Sequence, residues 1–154
     1  MTKSQKNYME TCFALAEKGK GKVAPNPMVG ALIVHNNEII GSGYHEYFGG
    51  PHAEVNAINS VAKRHQHLLS QSTIYVSLEP CAHHGKTPPC VDLILESKIP
   101  KVVISVSDPN PKVNGSSIKK LQANGVEVVT KVLEKQGMQL IKTFLQQFRS
   151  QSNK

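Results

Sequence analysis

Tyr8, Cys12, Leu15 and Ala16 recur at i, i+4, i+7 and i+8, and predict an amphipathic helix that ends in the region 19–21, where glycines begin. Pro25-Asn26-Pro27 enforces an extended or turning loop, because each proline disfavours helix in the residue before it. Val29 to His35 and Glu38 to Tyr44 then read as two strands of a hairpin joined at Asn36-Asn37. Gly49-Gly50-Pro51 breaks the pattern, and helical spacing resumes from His52 to about Lys63 with Val55, Ile58 and Ala62 on one stripe. His65 and His67 read as loop residues, and Thr73 to Leu78 as a short β-branched strand. Pro80 to Pro89 holds Gly85 and three prolines and is excluded from regular structure. Beyond it come a helix at Cys90 to Ser97 and a strand at Val102 to Val106. Asp108-Pro109-Asn110-Pro111 is a second enforced loop. It is followed by a helix at Ile118 to Asn124 stopped by Gly125, a strand at Val126 to Val129, and a last helix with Leu133, Leu140, Ile141, Phe144 and Phe148 on one face. A hairpin followed by alternating helix and strand predicts a layered α/β domain with a mixed sheet of about five strands.

Composition narrows this picture. The 154 residues suit one domain over 1–154, and 39% hydrophobic with 19% charged residues suits a globular chain. The net charge of +7 fits an anionic partner, either a phosphorylated small molecule or nucleic acid, and fits a solubilising surface equally well. Lys18, Lys20 and Lys22 read as a solvated turn. No apolar run approaches the roughly 20 residues that cross a bilayer, and the short patch Phe13–Ala16 is flanked by Glu10 and Glu17, unlike a signal peptide. The expectation is a cytoplasmic protein with no membrane partner. Three cysteines in such a chain point to metal binding or chemistry before disulfides, with Cys12, on the apolar face of the first helix, expected in the core.

The chemistry concentrates in two short stretches. His52-Ala53-Glu54 opens a helix straight after the Gly-Gly-Pro break, and Pro80-Cys81 follows a strand, with Cys90 opening another helix. One imidazole and two thiolates make three good ligands for Zn²⁺ and leave the fourth position open, as in catalytic rather than structural zinc sites. A carboxylate that is not a ligand can then take and return protons, and Glu54 is placed for it. Taken singly, His52 suits a surface helix and Cys81 a buried thiol, but the combination argues for a site.

This set resembles the zinc nucleobase deaminases, which carry a His-x-Glu and a Pro-Cys motif. Their cysteines are separated by two residues, whereas here eight intervene, Ala82-His83-His84-Gly85-Lys86-Thr87-Pro88-Pro89. With that insert the chain is similar to the riboflavin-biosynthesis deaminases of the cytidine and deoxycytidylate deaminase superfamily. These are the diaminohydroxyphosphoribosylaminopyrimidine deaminases that form the N-terminal half of many bifunctional deaminase-reductases. Pro25-Asn26-Pro27-Met28-Val29-Gly30, Gly43-Tyr44-His45, Leu78-Glu79-Pro80-Cys81 and Asp108-Pro109-Asn110-Pro111 carry the same resemblance, which runs from about Tyr8 to Arg149.

The resemblance implies a three-layer α/β/α cytidine-deaminase-like fold, Zn²⁺ on His52, Cys81 and Cys90, and Glu54 as catalytic proton carrier. It implies a phosphorylated ribosylaminopyrimidine as substrate, bound through Asn26, His45 and Lys86, with Asp108 and Asn110 as further contacts. An activated water adds to the ring carbon bearing the 2-amino group, and ammonia leaves.

Two departures stand out. Where the family has two glycines one residue apart, Gly115-Ser116-Ser117 keeps only the first. The sequence also stops just after the point where the family's reductase domain begins, so the expectation is a deaminase whose reductase is separate or missing. No G-x-G-x-x-G follows a strand. The apolar face of the last helix suggests a homo-oligomer. A nucleic-acid-editing deaminase is disfavoured by eight Phe and Tyr, no Trp and the length of the inter-cysteine loop, so no nucleic-acid partner is expected. A zinc-stabilised binding module would need a fourth protein ligand and no free carboxylate, which Glu54 contradicts.

Overall fold

A computed structural model describes residues 1–82, 89–107 and 115–142. Helix α1 spans Lys3–Glu17, and strands β1, Gly30–His35, and β2, Glu38–Tyr44, form the expected hairpin. Then come α2, Ala53–Ser60, a 3₁₀ segment at Lys63–Gln71, and β3, Thr73–Leu78. Helix α3 spans Cys90–Glu96, β4 Lys101–Val106, α4 Ser116–Ala123 and β5 Glu127–Val129, and a last helix, α5, runs over 134–142.

The strands make one mixed sheet in the order β2-β1-β3-β4-β5. β1 runs antiparallel to both β2 and β3, while β3, β4 and β5 are parallel. Asn36 and Asn37 both take positive φ, as a two-residue hairpin turn with the twist of its strands requires.

Strand alternation sorts the core into two layers. Ala31, Ile33, Ile74, Val76, Val102 and Ile104 face Ala53, Ala57, Ile58, Val91, Ile94 and Leu121 of α2, α3 and α4. Leu32, Val34, Tyr75 and Val103 point the other way, onto Met9 and Cys12 of α1 and onto Val132. Helices thus cover both faces, and the three-layer α/β/α expectation holds. Cys12 is fully buried and its thiol points at Tyr75 O, 3.7 Å away.

The structure corrects several elements. The first helix starts earlier than its apolar stripe because Thr2 caps it, accepting from Gln5 N–H while the Gln5 side chain accepts from Thr2 N–H. The second helix stops at Ser60, Ala62 is exposed, and the buried stripe is Ala53, Ala57 and Ile58 with Val61 behind it. His65 and His67 belong to the 3₁₀ segment and not to a loop. Leu133 precedes α5 with φ of 54° and lies outside the helix. Within α5, Leu140 packs on Ala16, Val23 and Met28 of its own domain. Phe144 and Phe148 lie outside the described residues, as does the loop Asp108 to Pro111. No helix among the described residues is long and apolar enough to cross a membrane.

Helix α2 lies directly on β2 because two glycines admit it. A Cβ at Gly43 would stand 2.5 Å from Ala57 N and 2.7 Å from Asn56 Cβ, and one at Gly41 would stand 2.7 Å from Ala57 O. Backbone cannot yield as a side-chain tip can. Gly43→Ala is therefore expected to cost about 1–3 kcal/mol through overpacking, read as a lower urea midpoint. An unchanged midpoint would show that α2 has room to move away.

Candidate metal centre and active site

The tight seat of α2 matters because its first turn carries the chemistry. His52 is the N-cap residue of α2 and Glu54 lies in its first turn. Cys81 follows the end of β3, and Cys90 opens α3 after Pro89, whose fixed φ suits a helix start. Residues at the ends of three elements thus meet beyond the C-terminal end of β3, the central strand of the sheet.

His52 Nδ1 lies 3.3 Å from Cys90 Sγ and 3.8 Å from Cys81 Sγ, and all three donor atoms fall within 4.8 Å of one another. Zn–S bonds of about 2.3 Å and Zn–N bonds of about 2.0–2.1 Å at tetrahedral angles put nitrogen and sulfur about 3.5 Å apart. The observed separations straddle that value, so the donor set fits zinc in both chemistry and spacing. It is also the one such group of His, Cys, Asp and Glu found among the described residues.

Electrostatics agrees. Cys81 is drawn well below the usual thiol range, first by a hydrogen bond from Cys90 and then by His52 and the Cys90 N–H, which sits 3.2 Å from its sulfur. Cys90 is driven upward by that same bond to Cys81, by burial and by the charge of Glu54. The two thiols are thus pushed in opposite directions, and a divalent cation bound between them would favour the thiolate form of both. His52 is raised, chiefly by its hydrogen bond to Cys81.

Glu54 is 4% exposed, and burial pushes its carboxyl up to about 7, against smaller lowering contributions that include its own N–H, His52 and Cys90. A carboxyl in that range exchanges protons readily near neutral pH.

Asn26 and His45 come together beside this cluster. His45 Nδ1 lies 3.0 Å from Pro51 O, a carbonyl that can only accept, so Nδ1 carries the proton. Nε2 is then the acceptor for the Asn26 amide N–H at 3.1 Å. This fixes the Asn26 amide as well, with its oxygen as the acceptor the pair offers. The His45 ring meets that of His52 edge-on, with centroids 5.5 Å apart. His45 is 2% exposed. Lys86, Asp108 and Asn110, together with His83 and His84, lie outside the described residues.

Sequence reasoning missed Glu79. Its buried carboxylate accepts from Gly115 N–H and from the Ser117 hydroxyl. Ser117, which stands where the family has its second glycine, is fully buried and is a hydrogen-bond donor there. The acid of Leu78-Glu79-Pro80-Cys81 was the available signal.

The family model for the cytidine and deoxycytidylate deaminase zinc-binding region matches residues 2–106. The chain belongs to this deaminase family. It is 46% identical over 143 residues to the riboflavin biosynthesis protein RibD of Bacillus amyloliquefaciens, covering 93% of this chain and 38% of that protein. Against the diaminohydroxyphosphoribosylamino-pyrimidine deaminase of Buchnera aphidicola subsp. Schizaphis graminum it is 41% identical over 143 residues, with 93% of this chain and 95% of that protein covered. Among solved structures, the bifunctional diaminohydroxyphosphoribosylaminopyrimidine deaminase and 5-amino-6-(5-phosphoribosylamino)uracil reductase of Thermotoga maritima superposes with a TM-score of 0.86 at 47% identity, over 96% of this chain and 42% of that one. The chain thus spans well under half the length of several of the relatives it matches.

Proposed function

We propose that the chain is a riboflavin-biosynthesis deaminase. It hydrolyses 2,5-diamino-6-ribosylamino-4(3H)-pyrimidinone 5′-phosphate to 5-amino-6-ribosylaminouracil 5′-phosphate and ammonia. One water is consumed, the bond from ring carbon to 2-amino nitrogen breaks, and a carbonyl replaces it. The observation that carries this reading is the buried Glu54 carboxyl beside the His52, Cys81 and Cys90 donors. Relatives with the matching names support the substrate.

His52, Cys81 and Cys90 would hold the zinc, which when bound supplies the Lewis acidity that makes water a nucleophile near neutral pH. Glu54 takes the proton from the attacking water and returns it to the departing nitrogen. Asn26 presents an oxygen acceptor to the pyrimidine, and His45, through its fixed tautomer, keeps that amide from flipping. Lys86, Asp108 and Asn110 complete the substrate contacts in this reading, with Lys86 directed to phosphate or a ring carbonyl.

Ammonia release from this substrate, measured beside cytidine, deoxycytidylate and tRNA, tests the assignment. The ribosylaminopyrimidine phosphate should be turned over and the other three should release little. Comparable release from any of them would overturn the substrate assignment.

A further inference from the structure

β3 ends at Leu78, and Glu79, Pro80 and Cys81 follow. Glu79 N–H donates to Val106 O at 2.8 Å, which carries the pairing of β3 with β4 one residue past the strand. Its side chain turns inward and is 5% exposed. Both carboxylate oxygens accept from Gly115 N–H at 3.0 Å, and Oε2 also accepts from Ser117 Oγ at 2.8 Å. Gly115 is the N-cap of α4 and has φ of 80°, a left-handed conformation that glycine adopts without strain. Helix α4 has no acidic residue in its first turn and no capping bond from its own N-cap side chain. Glu79 brings to that helix start, from 36 residues away, the negative group that exposed N–H donors favour.

We propose that Glu79 is a positioning residue for the Cys81 sulfur, an inference that rests on reading His52, Cys81 and Cys90 as the zinc site. Only Pro80 separates the anchored carboxylate from the ligand, and its ring fixes φ and removes an N–H. The corner is held on its other side by α3. Cys81 Sγ accepts from Cys90 N–H at 3.2 Å, and Cys81 O accepts from Val91 N–H at 3.2 Å. α4 thus holds the corner through Glu79, and α3 holds it through Cys81 itself. A carboxylate suits its part because its oxygens only accept, while an N–H and a hydroxyl are there to donate. An amide would turn an NH₂ toward one of those donors. Loss of a contact that orients a metal ligand typically weakens metal affinity about 10–100-fold.

The test uses the full chain with Glu79→Gln and Ser117→Ala, zinc affinity by competition with a chromophoric chelator, and the thiolate-to-cobalt absorption band of the Co²⁺-loaded protein. A helix cap with no tie to the site would lower the melting temperature but leave the band and the affinity alone. The expected result is zinc binding weaker by about 10–100-fold in Glu79→Gln, with a displaced cobalt band. Ser117→Ala, which leaves Gly115 N–H on the carboxylate, should show a smaller change in the same direction. Unchanged affinity and band in Glu79→Gln overturn the inference. If that variant does not fold, unchanged values in Ser117→Ala overturn it instead. A wild-type chain without a thiolate–cobalt band would remove the zinc-site reading itself, whereas a wild-type band unmoved by Glu79→Gln removes only the role of Glu79.

Discussion

Glu54→Gln is expected to fold, hold zinc and lose turnover by at least about 10²–10⁴-fold, the usual share of general acid–base catalysis. The amide matches the carboxyl in shape but cannot accept the proton of the attacking water. A second consequence follows from burial. The Glu54 carboxyl is raised from 4.5 to about 7, chiefly by desolvation. Between those values the folded zinc-free chain binds more protons than the unfolded one, so stability falls as pH rises through that window. Above it the buried charge costs roughly 3 kcal/mol, since each tenfold change in proton affinity is worth about 1.4 kcal/mol. Zinc-free Glu54→Gln should therefore melt above zinc-free wild type at pH 8 and level with it near pH 4. In the zinc-loaded protein the cation favours the carboxylate and moves the crossover to lower pH. A Gln variant with near-normal turnover would place the proton carrier elsewhere. A melting difference that does not change with pH would mean the carboxyl is better solvated than its burial indicates.

Cys81→Ser and Cys90→Ser are each expected to fall from about one zinc per chain to a small fraction of that, because a neutral hydroxyl replaces a thiolate. Metal binding and folding are coupled, so the zinc-loaded wild type should melt well above either variant, and a strong chelator should remove most of that difference. Zinc content by colorimetric release, with melting curves before and after chelation, reads both effects. Full occupancy in either variant would remove that cysteine from the ligand set.

The grouping of His52, Cys81 and Cys90 was legible before the fold because it is written in short, local signals. His52 and Glu54 sit two apart after a Gly-Gly-Pro break, Cys81 follows a proline, and Cys90 opens a helix. Strand β2 was legible to its ends because its hairpin partner and its Asn-Asn turn agree with it. What escaped depends on contacts between distant residues. Nothing near Ser117 says that its hydroxyl meets a carboxylate 38 positions earlier. Ala62 lost its predicted place on the helix because Val61 takes an extended conformation, ending α2 where the stripe alone would have continued. The 3₁₀ segment at Lys63–Gln71 is mostly polar and buries Leu69 alone, so its residues read as a loop. The seat of α2 was hidden as well, since Gly41 and Gly43 look like weak points in a strand until a helix is laid across them.

The alternation that sends Leu32, Val34, Tyr75 and Val103 toward α1 also divides the labour of the protein. His52, Glu54 and Cys90 all belong to the opposite layer, with α2 and α3. Selection can therefore act on the two faces at different rates. Substitutions under α1 are felt as gains or losses of stability and leave the reacting groups where they are, so that face is a reservoir from which stabilising changes can be drawn. The α2 and α3 layer has no such freedom, because a shift that relieves its packing also moves a ligand. Laboratory evolution of this chain toward heat resistance should accordingly collect its first accepted changes around Met9, Leu32 and Val132.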